Sequence, residues 1–223
     1  MSNISAQEVQ QYLLDHDYLK PDELAERTGT TPDQILALEA AKCIPAASYV
    51  VEGVLNVTSS FGTYPLPVVP ERYYHPSIEG WVAEVLSLAK ERELGEVAKI
   101  VRAEFDRHFE EALKGNPPPW PDGADYAWNY MTDGTWGICL KNIDMEHLLT
   151  KEYARATIRQ IMSSDATDDL TASEREQLIA AIIAYRRVTM PFAPHEFDES
   201  STQVEVQPAI EKYNLKPDEL ITP

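Results

Sequence analysis

The sequence has no run of about 18 apolar residues, which is the length that a membrane-spanning helix requires. Its first ten residues lack the basic and apolar segments of a secretory signal. Only two of 223 residues are cysteines, Cys43 and Cys139, and each has apolar neighbours. One pair is too few for a disulfide framework, so two buried thiols in a reducing compartment are favoured over a disulfide. We therefore expect a soluble, cytoplasmic protein.

Basic residues are also scarce. Nineteen Lys and Arg face 37 Asp and Glu, which gives a net charge of −18. Such a surface repels nucleic-acid phosphates and anionic lipids. We expect neither nucleic acid nor membrane as a partner. The charge favours solubility first, and it also suits an unknown basic protein partner or a cationic ligand.

Glycine-rich loops and metal-ligand patterns are missing as well. The nine glycines are scattered and form no phosphate-binding motif. The five histidines have no spacing typical of a metal site. Acidic residues surround His108, but an acidic helix has such neighbours without binding a metal. The sequence therefore predicts no cofactor and no metal.

Residues 5 to 45 have the pattern of three short helices. Ser5 with Glu8, and Thr31 with Gln34, have the spacing of capping boxes. Two segments rich in β-branched residues, 48–51 and 54–58, flank Glu52 and Gly53, which predicts a short β hairpin. The segment 61–67 follows, with one glycine and two prolines that indicate a loop.

Residues beyond 76 contain apolar stripes with helical spacing. The first stripe runs from Ile78 to Ala89. It includes Trp81, which we therefore predict to be a core residue. Residues 120–141 are aromatic and rich in turn residues, and the chain from Pro191 onward is rich in prolines and acids, with at most a short strand near Val204. The predicted fold is mainly α: a helix-turn-helix-like module with a short β hairpin (1–76), packed on a helical domain with an irregular acidic tail (77–223).

One segment resembles a DNA-binding motif. Leu19, Leu24, Ala25, Thr28 and Gly29 have the spacing found in the helix-turn-helix of mercury-resistance-type regulators and excisionases. The resemblance covers residues 19–45. It implies a fold more than a function, because those regulators carry basic residues on the second helix. Here that helix has one lysine and two acids.

A wider pattern resembles a bacterial family labelled as natural-product biosynthesis proteins of unknown function. Four segments carry this resemblance: Ile44–Val50, Tyr130–Leu140, Lys151–Glu152 and Pro191–Pro194. It departs from the family pattern in the loop at 53–70 and in the acidic C-terminus. The resemblance implies no activity and no catalytic residue.

Residues 120 to 147 are the region in which a ligand site is expected if the chain has one. The candidate ligand-binding residues are Trp120, Tyr126, Trp128, Tyr130, Trp136, Cys139 and His147. Large aromatic side chains form pocket walls, and glycines let the backbone approach a ligand. The alternative, which the sequence favours, is an aromatic clasp that pins a loop onto the helices. A further interpretation pairs Cys139 as nucleophile with His147 as base, but the sequence specifies no acid that would orient the imidazole.

The expected function is that of a non-enzymatic accessory or protein-interaction protein. A first alternative is a small-molecule-binding protein or tailoring enzyme of bacterial secondary metabolism that uses residues 120–147. A second alternative is a DNA-binding transcriptional regulator. Charge disfavours the regulator, because residues 1–80 contain 11 acidic and only 4 basic residues, net −7.

Overall fold

The computed structural model describes residues 5–60, 62–67, 70–163 and 170–221. Most of these residues are helical, and the strands within these ranges form two small two-stranded sheets. The mainly α fold with a short β hairpin is thereby confirmed. None of the described helices is both long and apolar enough to cross a membrane.

The three helices predicted near the N-terminus are present. They are α1 (Ala6–Asp15), α2 (Pro21–Thr28) and α3 (Pro32–Ala40). The Ser5–Glu8 and Thr31–Gln34 capping boxes form as predicted. Gly29 has φ +68 and ends α2, a conformation that glycine adopts without a steric penalty. The tight turn at this glycine lets α2 and α3 pack against each other.

The strand pairing differs from the prediction. The strands are β1 (Tyr49–Val51), β2 (Val54–Ser59), β3 (Gly62–Pro67) and β4 (Glu71–Tyr73). β1 pairs with β4, and β2 pairs with β3, both antiparallel. The predicted hairpin between 48–51 and 54–58 is therefore wrong, and most of the predicted loop 61–67 is strand β3. Its two prolines are tolerated because each strand of a two-stranded sheet is an edge strand.

Three of the described α-helices beyond residue 76 were not predicted from the sequence. The structure has α4 (Glu79–Ala89), α5 (Leu94–Leu113), α6 (Gly123–Thr132), α7 (Trp136–Cys139), α8 (Met145–Ser163), α9 (Ala172–Val188) and α10 (Gln207–Lys212). The unpredicted helices are α6, α7 and α10. The aromatic segment 120–141, predicted to be turns, thus contains α6 and α7. Thr202–Val206 is a π-helix that continues into α10, which corrects both the irregular tail and the short strand predicted near Val204.

One buried core joins the N-terminal helices to the later ones. Leu24 and Ile35 are completely buried in a single apolar cluster with Val82, Phe109 and Leu149. A second cluster forms between α8, α9 and α10. The domain boundary at residue 76 stays a prediction, because shared packing does not decide whether either part folds alone.

Two glycines let α7 and the turn before it lie directly against the segment that precedes β1. A Cβ atom added at Gly134, whose φ is +87, would lie 2.3 Å from the carbonyl oxygen of Ala47. A Cβ atom at Gly137 would lie 1.9 Å from Oγ of Ser48. Both glycines therefore permit close approach of another part of the chain, and not of a ligand as the sequence suggested.

We predict that Gly134→Ala lowers the free energy of unfolding by about 2–4 kcal/mol, since it adds backbone strain and a steric overlap. Gly95→Ala is the control. Gly95 lies in α5 with no atom within 4 Å of an added Cβ, so this change stabilises by about 0.4–1 kcal/mol. Urea denaturation measures both. Equal stabilities of the two variants would contradict the close packing at Gly134.

Candidate functional site

A cleft of about 530 Å³ lies between α4, α5 and the segment 131–148. Its walls are mostly apolar and aromatic. The lining residues are Ser77, Trp81, Glu84, Val85, Leu88, Val101, Glu104, Phe105, His108, Met131, Trp136, Leu140, Ile143, Asp144, Met145 and Leu148. We refer to this set as the cleft.

Two helices line the cleft, and the lining residues have the same spacing on both helices. α4 contributes residues 81, 84, 85 and 88, and α5 contributes residues 101, 104, 105 and 108. Both sets follow i, i+3, i+4, i+7, which is one face of an α-helix. On each helix this face combines an acidic side chain with apolar ones, so carboxylates and apolar groups line the same space.

The two tryptophans of the cleft have different roles in the structure. Trp81 is partly buried: it packs against the main apolar cluster, and it also lines the cleft, which its assignment to the core did not anticipate. The fully buried residues of α4 are Val82 and Val85. Trp136 is 3% exposed, and its indole N–H donates to the carbonyl oxygen of Ala127 at 2.9 Å. Trp136 therefore both supports the fold and lines the cleft.

Three carboxylates give the cleft a negative charge. Glu104 forms an ion pair with Arg107 at 2.6 Å, and Asp144 accepts a hydrogen bond from the backbone N–H of His147. Glu84 has no hydrogen bond or ion pair with any described residue. Within the described ranges, no lysine or arginine lines the cleft. The charge of these residues therefore favours a ligand that carries a positively charged group.

A buried histidine holds the one hydroxyl group of the cleft in place. Nδ1 of His75 lies 2.8 Å from Oγ of Ser77, and it accepts a hydrogen bond from the backbone N–H of Ser77. Oγ of Ser77 in turn accepts a hydrogen bond from the backbone N–H of Ile143 at 2.9 Å. Burial lowers the pKa of His75 to about 4, and a hydrogen bond with the backbone of Leu140 opposes this effect. At neutral pH the imidazole is therefore uncharged.

The predicted aromatic residues form a stack beside the cleft. Ring centroids are 4.8 Å apart for Trp120 and Tyr126, 4.5 Å for Tyr126 and Tyr130, and 5.8 Å for Tyr130 and Trp136. Trp128 lies apart from this stack, edge-on to Phe105 and under Arg102. Of the seven residues proposed from the sequence to bind a ligand, Trp136 alone lines the cleft.

Cys139 and His147 have different partners. Nδ1 of His147 lies 2.9 Å from Asp144, whereas Sγ of Cys139 accepts a hydrogen bond from Nζ of Lys151 at 2.8 Å. The structure thus pairs the thiol with a lysine and not with the imidazole considered from the sequence. Both cysteines are free thiols and buried, as expected from their apolar neighbours.

The buried pair Lys151 and Glu152 was not predicted as part of any site. These residues are 4% and 3% exposed, and Nζ of Lys151 lies 5.2 Å from the ring centroid of Trp136. Burial alone lowers the pKa of Lys151. Attraction to Cys139 and Glu152 outweighs burial, so the pKa lies above its ordinary value. The only sequence signal was the presence of both residues in the pattern that resembles the natural-product family.

The fold and the cleft define a helical protein with a concave apolar site and an acidic wall. A family model described as a family of unknown function, DUF6058, matches residues 98–214. This range is just over half of the chain, and the chain belongs to that family. It includes most of α5, all of α6 to α10, Trp136 and the Lys151–Glu152 pair. Comparisons with curated proteins and with solved structures gave no match.

We predict that His75 makes stability depend on pH. The folded protein keeps His75 neutral down to about pH 4, whereas the unfolded chain binds a proton near the ordinary pKa of 6.5. The contribution of His75 is therefore complete above pH 6.5 and is lost as the pH falls toward 4. Between about pH 7.5 and about pH 4.5, the wild type should lose roughly 2–3 kcal/mol more than His75→Gln, which does not titrate.

Urea denaturation of the two proteins across this pH range measures that difference. Glutamine keeps an oxygen that can accept from Ser77, so the variant is expected to fold. If the stabilities of the two proteins change in parallel with pH, His75 is not held neutral in the folded protein.

Proposed function

We propose that this chain binds a small apolar molecule that carries a positively charged group, and that it binds this molecule in the cleft. The supporting observation is a concave space of about 530 Å³ that is lined mostly by apolar side chains together with three carboxylates. Small-molecule sites have volumes of roughly 300–1,000 Å³ and few polar groups among apolar ones. The cleft has both properties.

The carboxylates support a cationic ligand over an anionic one. Glu104 and Asp144 already have partners within the protein, whereas Glu84 has none among the described residues. A ligand ammonium group near Glu84 would gain a charge-assisted hydrogen bond. An anionic ligand would find no lysine or arginine in the described wall of the cleft and would be repelled.

This proposal develops the small-molecule alternative that the sequence offered. The resemblance to natural-product biosynthesis proteins agrees with it, since such a ligand would be a metabolite of bacterial secondary metabolism. The accessory, protein-interaction function remains the competing hypothesis. An interaction protein needs an exposed apolar surface, whereas the cleft is a concave space lined mostly by apolar side chains, as small-ligand sites are.

We predict that primary amines bind in the cleft more tightly than alcohols of the same shape. Matched pairs are tryptamine with tryptophol, phenylethylamine with phenylethanol, and octylamine with octanol. At low salt the amine should bind roughly tenfold more tightly, because one charged hydrogen bond is gained. Isothermal titration calorimetry measures the affinities.

Two variants of cleft residues and two control variants test whether this binding takes place in the cleft. Trp81→Ala should weaken binding of every member at least about tenfold, since it removes a large contact surface. Glu84→Gln should remove most of the preference for amines. The controls are Phe197→Ala, an exposed aromatic residue outside the cleft, and Glu91→Gln, an exposed acid outside the cleft. Equal affinities for amines and alcohols in the wild type, or loss of binding in the controls, would contradict the proposal.

A DNA-binding function receives no support from the exposed face of α3. The exposed residues of α3 include no basic residue; they are Asp33, Gln34, Leu36, Ala37 and Ala40. Phosphate contacts supply most of the affinity of proteins for duplex DNA. We therefore predict no sequence-specific retardation of duplex DNA in an electrophoretic assay at moderate ionic strength. A band that is competed by one promoter sequence and not by random duplex would contradict this prediction.

A further inference from the structure

The contact between Lys151 and Cys139 is unusually short. Nζ and Sγ lie 2.8 Å apart. The other sulfur hydrogen bonds among the described residues, made by Cys43, Cys139 and Met190, are 3.7 to 3.9 Å long. Both side chains are almost completely buried, so water does not compete for this contact. The amine nitrogen and the thiol sulfur are therefore about as far apart as a nitrogen and a sulfur atom that are both bonded to one oxygen atom.

We propose that Cys139 and Lys151 form a covalent nitrogen–oxygen–sulfur bridge when the protein meets hydrogen peroxide. The bridge joins α7 to α8 directly behind the cleft, because Trp136 lines the cleft and its ring lies over Nζ of Lys151. This modification site is independent of the proposed ligand, since neither Cys139 nor Lys151 lines the cleft.

The reaction balances with two molecules of hydrogen peroxide. The first oxidises the thiol of Cys139 to a sulfenic acid and releases one water. The second oxidises the amine nitrogen of Lys151, and formation of the bridge between nitrogen, oxygen and sulfur releases two further waters. Sulfur and nitrogen each lose two electrons, and the peroxide oxygens gain these four. Because the lysine starts as an ammonium ion, one proton also leaves.

The surroundings of the pair suit each step of this reaction. The carboxylate of Glu152 lies 3.5 Å from Nζ of Lys151 and can accept the proton that the ammonium group loses. Hydrogen peroxide is small enough to reach a group one side chain behind an open cleft. Burial keeps larger thiols away from the sulfenic acid. The oxidised nitrogen of Lys151 is the group within reach, and the oxygen atom that it carries bonds to the sulfur as water leaves.

Peptide mass spectrometry of the full-length wild-type protein tests the proposal directly. Folded protein is treated with hydrogen peroxide, then denatured and digested with trypsin. We expect the peptide 115–141, which contains Cys139, to be joined to the peptide 142–155, with a mass gain of one oxygen and a loss of two hydrogens. Cleavage after Lys151 should be lost, and dithiothreitol should restore both the separate peptides and the cleavage.

Cys43 provides a matched control within the same protein. It is also buried, but among the described residues its sulfur forms hydrogen bonds with the carbonyl oxygens of Ala41 and Leu94 and none with an amine. Its peptide should join no other peptide. Protein unfolded in urea before oxidation should also give no link, because the contact is then absent. Cys139 oxidised without a link, or a link that lacks the oxygen atom, would overturn the proposal.

Discussion

Two buried charges at adjacent positions of α8 determine how the middle of this protein packs. The ammonium group of Lys151 contacts Cys139 of α7, and the carboxylate of Glu152 is 3.0 Å from Arg155. Arg155 also pairs with Glu205 of the π-helix at 2.7 Å. Breaking one partner of such a buried pair costs roughly 3–5 kcal/mol, because the other charge stays buried without compensation. α7 and the π-helix are therefore both fixed to α8 by charges that cannot be left unpaired.

The short segment from Gly134 to Leu140 connects this charged centre with the cleft. Its glycines lie against Ala47 and Ser48, and the hydroxyl group of Tyr18 donates a hydrogen bond to the carbonyl oxygen of Gly137 at 2.6 Å. On its other side, Trp136 and Leu140 line the cleft. The N-terminal helices thus influence the candidate site without contributing a side chain to it. The segment from Gly134 to Leu140 packs against the N-terminal part of the chain on one side and lines the cleft on the other.

Local signals predicted the helices well where a cap and an apolar stripe occur together. The Ser5–Glu8 and Thr31–Gln34 capping boxes formed as expected, and Thr171 with Glu174 forms a further capping box at the start of α9. Strand pairing was wrong because β-branched residues indicate a strand but do not identify its partner. Helix α6 was missed because glycines and prolines around residues 115–123 outweighed the helical spacing of its aromatic residues.

The site was harder to predict than the fold, for a physical reason. A stripe of apolar residues does not distinguish a face covered by another helix from a face that lines a cleft. Trp81 and Phe105 lie on such stripes, and the tertiary structure leaves a cleft beside both of them. The pairing of Lys151 with Cys139 is likewise a tertiary contact between residues twelve positions apart, and no sequence motif predicts it.

The indole N–H signals of the four tryptophans provide the most direct test of the cleft as a ligand site. The chain has tryptophan at positions 81, 120, 128 and 136 only, so a nitrogen-15 correlation spectrum contains four such signals, each assigned by a tryptophan-to-phenylalanine variant. During titration with octylamine, the signals of Trp81 and Trp136 should move most and should saturate together. If the signals of Trp120 and Trp128 move instead, or if none moves while octylamine binds, the ligand site lies elsewhere.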